Sequence, residues 1–267
     1  MPFIENRGAK IYWDEQGQGP PILLIMGLGY PSDMWHRTRP HLAVQYRTVA
    51  LDNRGCGRSD VPPGPYSIAL MAADAAAVLD AAGVQSAHVF GVSMGGMIAQ
   101  EFALQYPQRV RCLILGCTSP GGRHAILATP DVLMALMARP TMTAEQAREV
   151  FTPILYDSST LIERIDQDMN ILKDWFPTAE GFTAQLQGII AWEAYSRLPQ
   201  ITVPTLVLHG DSDRLIPPGN GEIVASRIPG ARLVKIPRAG HIFGTDQPDT
   251  SNQAISEFIS QVSGTRA

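Results

Sequence analysis

The chain has 267 residues, of which 45% are hydrophobic and 17% are charged, and its formal net charge is −4 at pH 7. These values are ordinary for a globular protein, and without a basic excess we expect no nucleic-acid partner. No stretch approaches 18 uninterrupted apolar residues, and residues 1–15 lack a basic segment followed by an apolar one, so we expect no membrane partner and a cytoplasmic protein. Cys56, Cys112 and Cys117 have neither disulfide-framework nor zinc-ligand spacing, so we expect reduced thiols.

The first 117 residues alternate strand-like and helix-like segments, which is typical of a largely parallel sheet with helices on both faces. The predicted strands are short apolar runs, and they cover residues 10–15, 21–26, 47–51, 86–90 and 111–115. The predicted helices cover residues 34–44 and 67–82. A third helix follows residues 91–95 and ends at Tyr106, because Pro107 disfavours helix in the residue before it.

Strand patterns stop after residue 117, and helical patterns replace them near residues 124–138, 143–155, 158–173 and 179–196. Strand patterns return at 203–208 and 231–236, and an amphipathic helix is predicted over 248–262. One sheet is therefore interrupted by an insertion. We predict a core of residues 1–117 and 200–267 with an inserted helical cap of residues 118–199.

A serine between glycines stands where a predicted strand gives way to a predicted helix, in Gly91-Val92-Ser93-Met94-Gly95. This is the sequence form of a nucleophile elbow, a sharp turn that exposes the serine hydroxyl. The hydroxyl is a poor nucleophile unless a nearby base removes its proton. Gly91 and Gly95 leave room where the strand and helix backbones nearly touch. Ser93 is therefore the candidate nucleophile.

A serine nucleophile needs a histidine base and a carboxylate that orients the base, and chains with this elbow carry them in the order serine, acid, histidine. Two histidines follow the predicted cap. His209 belongs to a strand end, whereas His241 lies on a glycine-flanked loop after the last predicted strand, so His241 is the candidate base. The loop after the 203–208 strand offers two carboxylates, Asp211 and Asp213, and the pattern leaves both open.

Two backbone amides are candidates for an oxyanion hole, the pair of donors that stabilises the negative oxygen of a tetrahedral intermediate. The Met94 amide directly follows the nucleophile at a helix N-terminus, where the helix dipole also favours negative charge. The Leu28 amide lies in the turn Gly27-Leu28-Gly29 after a buried strand, where glycines allow the backbone to face the site.

These motifs together resemble the α/β-hydrolase superfamily over essentially the whole chain. The resemblance rests on the elbow, the Gly27-Leu28-Gly29 turn, residues 52–60, residues 210–217 and the Gly240-His241 pair. It implies an α/β fold with a mostly parallel central sheet, flanking helices and an inserted helical cap. The family spacing Gly-x-x-Asp-x-x-x-Pro implies that Asp213 is the acid.

The resemblance also implies a structural role for residues 52–60, in which Arg54 and Asp60 tether turns. Many relatives have histidine where this chain has Met26, so a polar side chain near the oxyanion turn is absent. Residues 91–100 and 106–110 are similar to bacterial 3-oxoadipate enol-lactonases, aclacinomycin-type methylesterases, small esterases and acylhomoserine lactonases.

The implied activity is that of a serine carboxylic ester hydrolase that forms an acyl-serine and uses no metal or organic cofactor. The predicted cap is rich in apolar side chains, which favours a lipophilic small-molecule ester or lactone. We expect Trp35, Met134, Trp192 and Ile216 to contact it, although apolar helical stripes also form a cap's own core. The motifs leave open an acylhomoserine lactone or enol-lactone substrate, an aminopeptidase or perhydrolase, and a ligand receptor on the same scaffold. They also leave open a monomer or a homodimer.

Overall fold

The computed structural model describes residues 2–264, in which eight strands form one sheet. The strands are β1 (Phe3–Asn6), β2 (Ala9–Gln16), β3 (Pro21–Ile25), β4 (Arg47–Leu51), β5 (Ala87–Val92), β6 (Val110–Gly116), β7 (Thr205–Gly210) and β8 (Arg232–Ile236). Their order across the sheet is β1-β2-β4-β3-β5-β6-β7-β8. β2 pairs antiparallel with β1 and β4, and every other neighbouring pair is parallel. The predicted α/β fold with a mostly parallel sheet is therefore confirmed.

Helices connect the strands and cover both faces of the sheet. They are α1 (Arg39–Leu42), α2 (Ile68–Ala81), α3 (Met94–Gln105), α4 (Pro130–Ala138), α5 (Ala144–Leu155), α6 (Ile162–Asp174), α7 (Ala179–Ala191), α8 (Gly219–Arg227), α9 (Phe243–Asp246) and α10 (Pro248–Gly264). Buried residues of α2, α3 and α8 form one core cluster with the sheet, and those of α1 and α10 form a second. The sheet is thus buried on both sides, as parallel sheets require.

Local sequence signals explain several helix boundaries. The Ser67 side chain accepts a hydrogen bond from the Leu70 amide and begins α2, and Thr143 and Gln146 form a capping box at the start of α5. The predicted helix over 34–44 is wrong. A 3-10 turn over Ser32–Trp35 and the short helix α1 replace it, because Pro40 has no amide hydrogen to continue a helix through this segment.

Three further elements, β1, α8 and the four-residue helix α9, have no counterpart among the predicted segments. β1 pairs with β2 at the sheet edge and alternates exposed and half-buried residues over only four positions, so its periodic signal is short. α8 contains Gly219 and Gly221, which disfavour helix in isolation. Packing of Val224 into the core stabilises α8 where intrinsic propensity does not.

The helices α4, α5, α6 and α7 lie between β6 and β7 in the chain, where we expected the inserted helical cap. Several of their side chains form a core cluster of their own around Val132, Phe151 and Ile165. A buried carboxylate, Asp168 of α6, connects this segment to the rest of the fold by accepting hydrogen bonds from His36 and Thr245. Across residues 2–264, no helix is long and apolar enough to cross a membrane.

Candidate active site

The candidate catalytic residues follow four different strands and meet at one edge of the sheet. Leu28 follows β3, Ser93 follows β5, Asp213 follows β7 and His241 follows β8. These four strands are parallel, so their carboxyl ends lie on the same side, which is where open α/β sheets bind ligands. The parallel topology therefore brings together residues that are far apart in sequence.

Ser93 has a strained backbone conformation at the turn between β5 and α3. Its φ is 58° and its ψ is −122°, a region that residues other than glycine rarely occupy. Two hydrogen bonds of 2.8 Å hold it there: the Ser93 amide donates to the Gly116 carbonyl, and the Thr118 hydroxyl donates to the Ser93 carbonyl. The end of β6 thus supports the turn that presents Ser93, as expected of a nucleophile elbow.

The glycines around Ser93 are required by close backbone approach. A Cβ atom on Gly91 would lie 2.0 Å from the Gly95 carbonyl oxygen, and one on Gly95 would lie 2.1 Å from the Ile25 carbonyl oxygen. A Cβ on Gly27 would lie 3.0 Å from Cβ of Ser93. The turn after β3 therefore packs directly against the nucleophile, and the expected role of Gly91 and Gly95 is confirmed.

His241 and Asp213 form a buried hydrogen-bonded pair. His241 Nδ1 lies 2.8 Å from Oδ2 of Asp213, and the two residues are only 5% and 4% exposed. The other carboxylate oxygen of Asp213 accepts hydrogen bonds of 2.9 Å from the amides of Leu215 and Ile216. Asp211, by contrast, is exposed, and its carboxylate contacts the neighbouring Ser212. The geometry thus pairs His241 with Asp213, as the family resemblance implied.

His209 is a second partner of Asp213 that the sequence analysis set aside as part of a strand. Its Nε2 lies 2.8 Å from the Ile216 carbonyl oxygen and 3.3 Å from Oδ2 of Asp213. Both neighbours are acceptors, so the ring carries a proton on Nε2 and donates it between them. A Cβ on Gly221 would lie 2.7 Å from Nδ1 of His209, so α8 encloses the ring closely. Its place in the motif Leu208-His209-Gly210, four residues before Asp213, is the signal that could have revealed it.

Opposing effects set the ionisation of the pair. Burial alone would raise the pKa of the Asp213 carboxyl, but the charge of His241 and the hydrogen bonds from His209 and His241 lower this pKa to about 2. Burial would likewise lower the pKa of His241, whereas Asp213 and then Cys117 raise it well above its usual value. The carboxylate is therefore ionised at neutral pH and stabilises a protonated imidazole beside it.

Of the two candidate oxyanion donors, Met94 is fully buried at the first position of α3, and Leu28 lies in the wall of the cavity that contains Ser93. Within residues 2–264, the Leu28 amide donates no hydrogen bond. The next amide, that of Gly29, donates a 2.8 Å hydrogen bond to the side-chain oxygen of Gln185 in α7. The sequence analysis did not identify Gln185. This residue of the helical segment holds the turn over Gly27-Leu28-Gly29 in place through its hydrogen bond to Gly29.

Ser93 and His241 line a cavity of about 310 Å³ between the sheet edge and the helical segment. Its walls are largely apolar, and they include Met34, Trp35, Phe90, Phe151, Phe176 and Phe182. Of the four expected substrate contacts, the structure brings Trp35 to this cavity, where its ring packs 4.8 Å from the ring of Phe90.

The other three expected contacts lie outside the cavity and are corrected. Met134 is 68% exposed on the outer face of α4. Trp192 is buried against α3, where its ring nitrogen donates a 2.8 Å hydrogen bond to Glu101. Ile216 packs on the core and contributes its backbone to the Asp213 loop, while its neighbour Leu215 lines the cavity.

Cys117 also lies in this site, beyond the end of β6. Cys117, Asp213 and His241 each place one potential metal-ligand atom within 4.8 Å of the others. The Asp213 and His241 atoms are hydrogen-bonded to one another, so this pair is arranged for proton transfer rather than as an open metal centre. Cys117 is buried and is not part of a disulfide.

Comparison with known proteins decides the family. A family model described as the alpha/beta hydrolase fold matches residues 20–248. The chain belongs to the α/β-hydrolase family. This α/β-hydrolase is 31% identical to the putative carbamate hydrolase RutD of Azorhizobium caulinodans, over 98% of this chain and 99% of that protein.

Solved structures of α/β-hydrolases superpose on nearly the whole chain. The enol-lactonase from Burkholderia xenovorans LB400 has a TM-score of 0.87 at 25% identity, covering 97% of this chain and all of that one. Est816, described as an N-acyl homoserine lactone degrading enzyme, has a TM-score of 0.83 at 30% identity, covering 96% of this chain and all of that one. The family and these relatives identify the protein as a hydrolase. The names of the relatives refer to different substrates: a carbamate, an enol-lactone and N-acyl homoserine lactones.

The loop over residues 52–60 has the tethering role that the family resemblance implied. Arg54 makes two hydrogen bonds of 2.6 and 2.7 Å to the carboxylate of Asp74 in α2, and both residues are buried. The Asp60 carboxylate accepts a 2.9 Å hydrogen bond from the Lys10 amide. These contacts hold the loop against the sheet.

Proposed function

We propose that this α/β-hydrolase is a serine carboxylic ester hydrolase that cleaves an ester or lactone through an acyl-serine intermediate. One observation carries the proposal. The strained turn presents Ser93 in the same cavity as His241, and His241 is hydrogen-bonded to the buried carboxylate of Asp213. A serine, a histidine and an orienting acid in this arrangement perform acyl transfer in unrelated folds.

In the proposed mechanism His241 removes the proton of Ser93 as the hydroxyl oxygen attacks the substrate carbonyl. Asp213 holds the Nδ1 proton of His241, so that Nε2 is free to act as the base, and stabilises the imidazolium that forms. The amides of Leu28 and Met94 stabilise the oxyanion, each contributing about 3 kcal/mol. His241 then protonates the leaving alcohol, and it activates the water that hydrolyses the acyl-serine.

The largely apolar cavity supports a substrate with an apolar body. Its volume of about 310 Å³ is at the lower end of ligand sites and suits a small molecule. The similar proteins are named for a lactone or a carbamate, and all such substrates present a carbonyl to the serine. An open-chain ester and a lactone differ only in whether the leaving alcohol stays attached, so the same residues serve both.

A hydrolysis screen tests the proposal. We would compare 4-nitrophenyl esters of increasing chain length with γ-butyrolactone, acylhomoserine lactones, carbamate esters and amino-acid anilides, with Ser93→Ala protein as the blank. The proposal predicts turnover of an ester or lactone that depends on Ser93. Turnover of anilides alone would instead indicate an aminopeptidase, and binding without turnover of any substrate would indicate a receptor.

An aminopeptidase would need a carboxylate in the cavity to bind the substrate ammonium group. Among the described residues, the carboxylate in the cavity lining is Glu145, which is exposed. Glu149 is exposed and lies outside the lining, and Glu193 pairs through its backbone with Gly121. The charge distribution of the cavity therefore favours the ester hydrolase.

A further inference from the structure

Arg139, which directly follows α4, places a cation among aromatic rings in the largely apolar wall of the cavity. Its guanidinium carbon lies 4.2 Å from the ring centroid of Phe176, 5.7 Å from that of Phe151 and 5.8 Å from that of Phe182. These three rings come from separate parts of the helical segment, and all of them line the cavity together with Arg139. All three distances are within the range of cation–π attraction.

The Arg139 side chain has no hydrogen-bonding or ionic partner among residues 2–264, unlike those of the two other arginines that line the same cavity. Arg37 donates a 2.8 Å hydrogen bond to the side chain of Gln167, and Arg148 forms an ion pair with Asp166. A guanidinium has five N–H donors, and those of Arg139 are not used by the protein. The three aromatic rings near it offer no hydrogen-bond acceptor of the ordinary kind for these donors.

Among the described residues, no carboxylate forms an ion pair with Arg139 or raises its pKa. Glu145, also in the cavity lining, is exposed and forms no ion pair with Arg139. Burial lowers the pKa of Arg139, and only the Tyr30 phenol opposes this effect. Burial in turn raises the pKa of Tyr30 to about 12, so its hydroxyl is neutral and able to donate a hydrogen bond beside the guanidinium.

We infer that Arg139 binds a carboxylate group of the substrate, and therefore that the ester or lactone carries an anionic group as well as an apolar body. This inference rests on the proposed function. Aromatic rings surround the guanidinium without using its N–H donors in conventional hydrogen bonds, and the fork of these donors matches the two oxygens of a carboxylate. The bound carboxylate supplies the charge that the protein itself does not place near Arg139.

The test uses pairs of esters that are matched in length and differ in one charge. One pair carries the charge on the acyl side: the 4-nitrophenyl monoester of glutaric acid, with its distal carboxyl free or methylated. A second pair carries it on the alcohol side: 4-acetoxybenzoate and its methyl ester. In at least one pair, we expect kcat/KM to be about 10- to 100-fold higher for the charged member, as for one charge-assisted contact in a site of low polarity.

Variants assign that preference to one residue. Arg139→Gln is expected to bring the ratio of charged to neutral kcat/KM close to one, and Arg139→Lys is expected to retain part of it. The matched control is Arg227→Gln, because Arg227, the last residue of α8, lies 4.7 Å from the ring centroid of Tyr195 and outside the cavity lining. A neutral preference in both pairs, or a charged preference that survives in Arg139→Gln, would overturn the inference.

A binding measurement separates this inference from the proposed function. Ser93→Ala protein, with and without Arg139→Gln, is titrated calorimetrically with monomethyl glutarate and with dimethyl glutarate. Arg139-dependent binding of the monoanion, together with no hydrolysis of any ester by the wild-type protein, would leave the carboxylate site standing and refute the hydrolase. Ester hydrolysis together with equal binding of both ligands would refute the carboxylate site alone.

Discussion

The side-chain oxygen of Gln185 accepts a 2.8 Å hydrogen bond from the amide of Gly29, in the turn that also carries the candidate oxyanion donor Leu28. The Gln185 amide group donates a 2.7 Å hydrogen bond to the carbonyl of Arg54, and the side chain is fully buried. A residue of the helical segment thus joins two loops of the sheet edge. The position of the oxyanion turn depends on how α7 packs against the core.

Replacing Gln185 should therefore impair both activity and stability. Gln185→Ala leaves buried amide and carbonyl groups without partners, which costs about 1 to 3 kcal/mol of the free energy of unfolding. We expect kcat to fall about tenfold with a smaller change in KM, because the turn matters most when the oxyanion forms. Steady-state kinetics and urea unfolding measure the two effects. Gln187→Ala, at an exposed position of the same helix, is the control, and equal losses in both variants would contradict the assigned role.

Ser93→Ala should reduce ester hydrolysis by at least about 10,000-fold while the fold is retained. The strained backbone at this residue adds a second expectation. Ser93→Gly should be more stable than Ser93→Ala by about 1 kcal/mol, because glycine adopts positive φ without a steric penalty. Circular dichroism and thermal unfolding check the fold, and full activity in a folded Ser93→Ala protein would remove Ser93 from the mechanism.

The loop after β7 offers a matched pair of substitutions. Asp213→Asn should lower kcat about 10,000-fold, because the amide cannot stabilise the His241 imidazolium or hold its tautomer. Asp211→Asn should change kcat by less than about twofold, because that carboxylate is exposed and its hydrogen bonds are with Ser212 and the Ala239 amide rather than with His241. The reverse ranking would assign the acid to Asp211.

The pH dependence of kcat/KM should show the ionisation of His241. The base must be neutral to accept the proton of Ser93, so activity is lost as the pH falls through the His241 pKa. Asp213 raises that pKa above the ordinary 6.5, and the loss should therefore begin at a higher pH than for an unpaired histidine. A profile measured with a neutral ester from pH 5 to 10 tests this, and a midpoint below 6.5 would contradict it.

Asp246 should make stability depend on pH. Its carboxylate accepts hydrogen bonds of 2.6 Å from the Gly240 amide, next to His241, and from the Thr160 hydroxyl. Burial raises its pKa from 3.8 to about 6, so the folded state favours the protonated acid. The stabilising contribution is present in full below pH 3.8 and is lost as the pH rises through about 6.

Asp246→Asn removes this ionisation. The free energy of unfolding of the wild type, relative to the variant, should therefore fall by at most about 3 kcal/mol between pH 4 and pH 8. Urea unfolding of both proteins across this range measures the difference. A constant difference would show that Asp246 titrates alike in the folded and unfolded states.

The sequence by itself determined the fold and the candidate triad. Apolar runs such as residues 47–51 predicted a strand that the structure reproduces with the same bounds, since buried parallel strands need little but continuous hydrophobicity. The elbow glycines are required by steric contacts between adjacent segments of the backbone, so their spacing is visible in the sequence. His241 was found because its loop follows the last predicted strand, whereas the choice of Asp213 over Asp211 came from the family resemblance.

Only the tertiary structure decided which side chains of the helical segment face the cavity. Helical periodicity marks an apolar face, but it does not say whether that face meets the cavity, the segment's own core or another helix. For this reason Met134 and Trp192 were misplaced, while Arg139 and Gln185 were missed. The positions of these four side chains depend on contacts between residues far apart in the chain, such as Gln185 with Gly29. Such contacts exist only after the helical segment packs on the sheet.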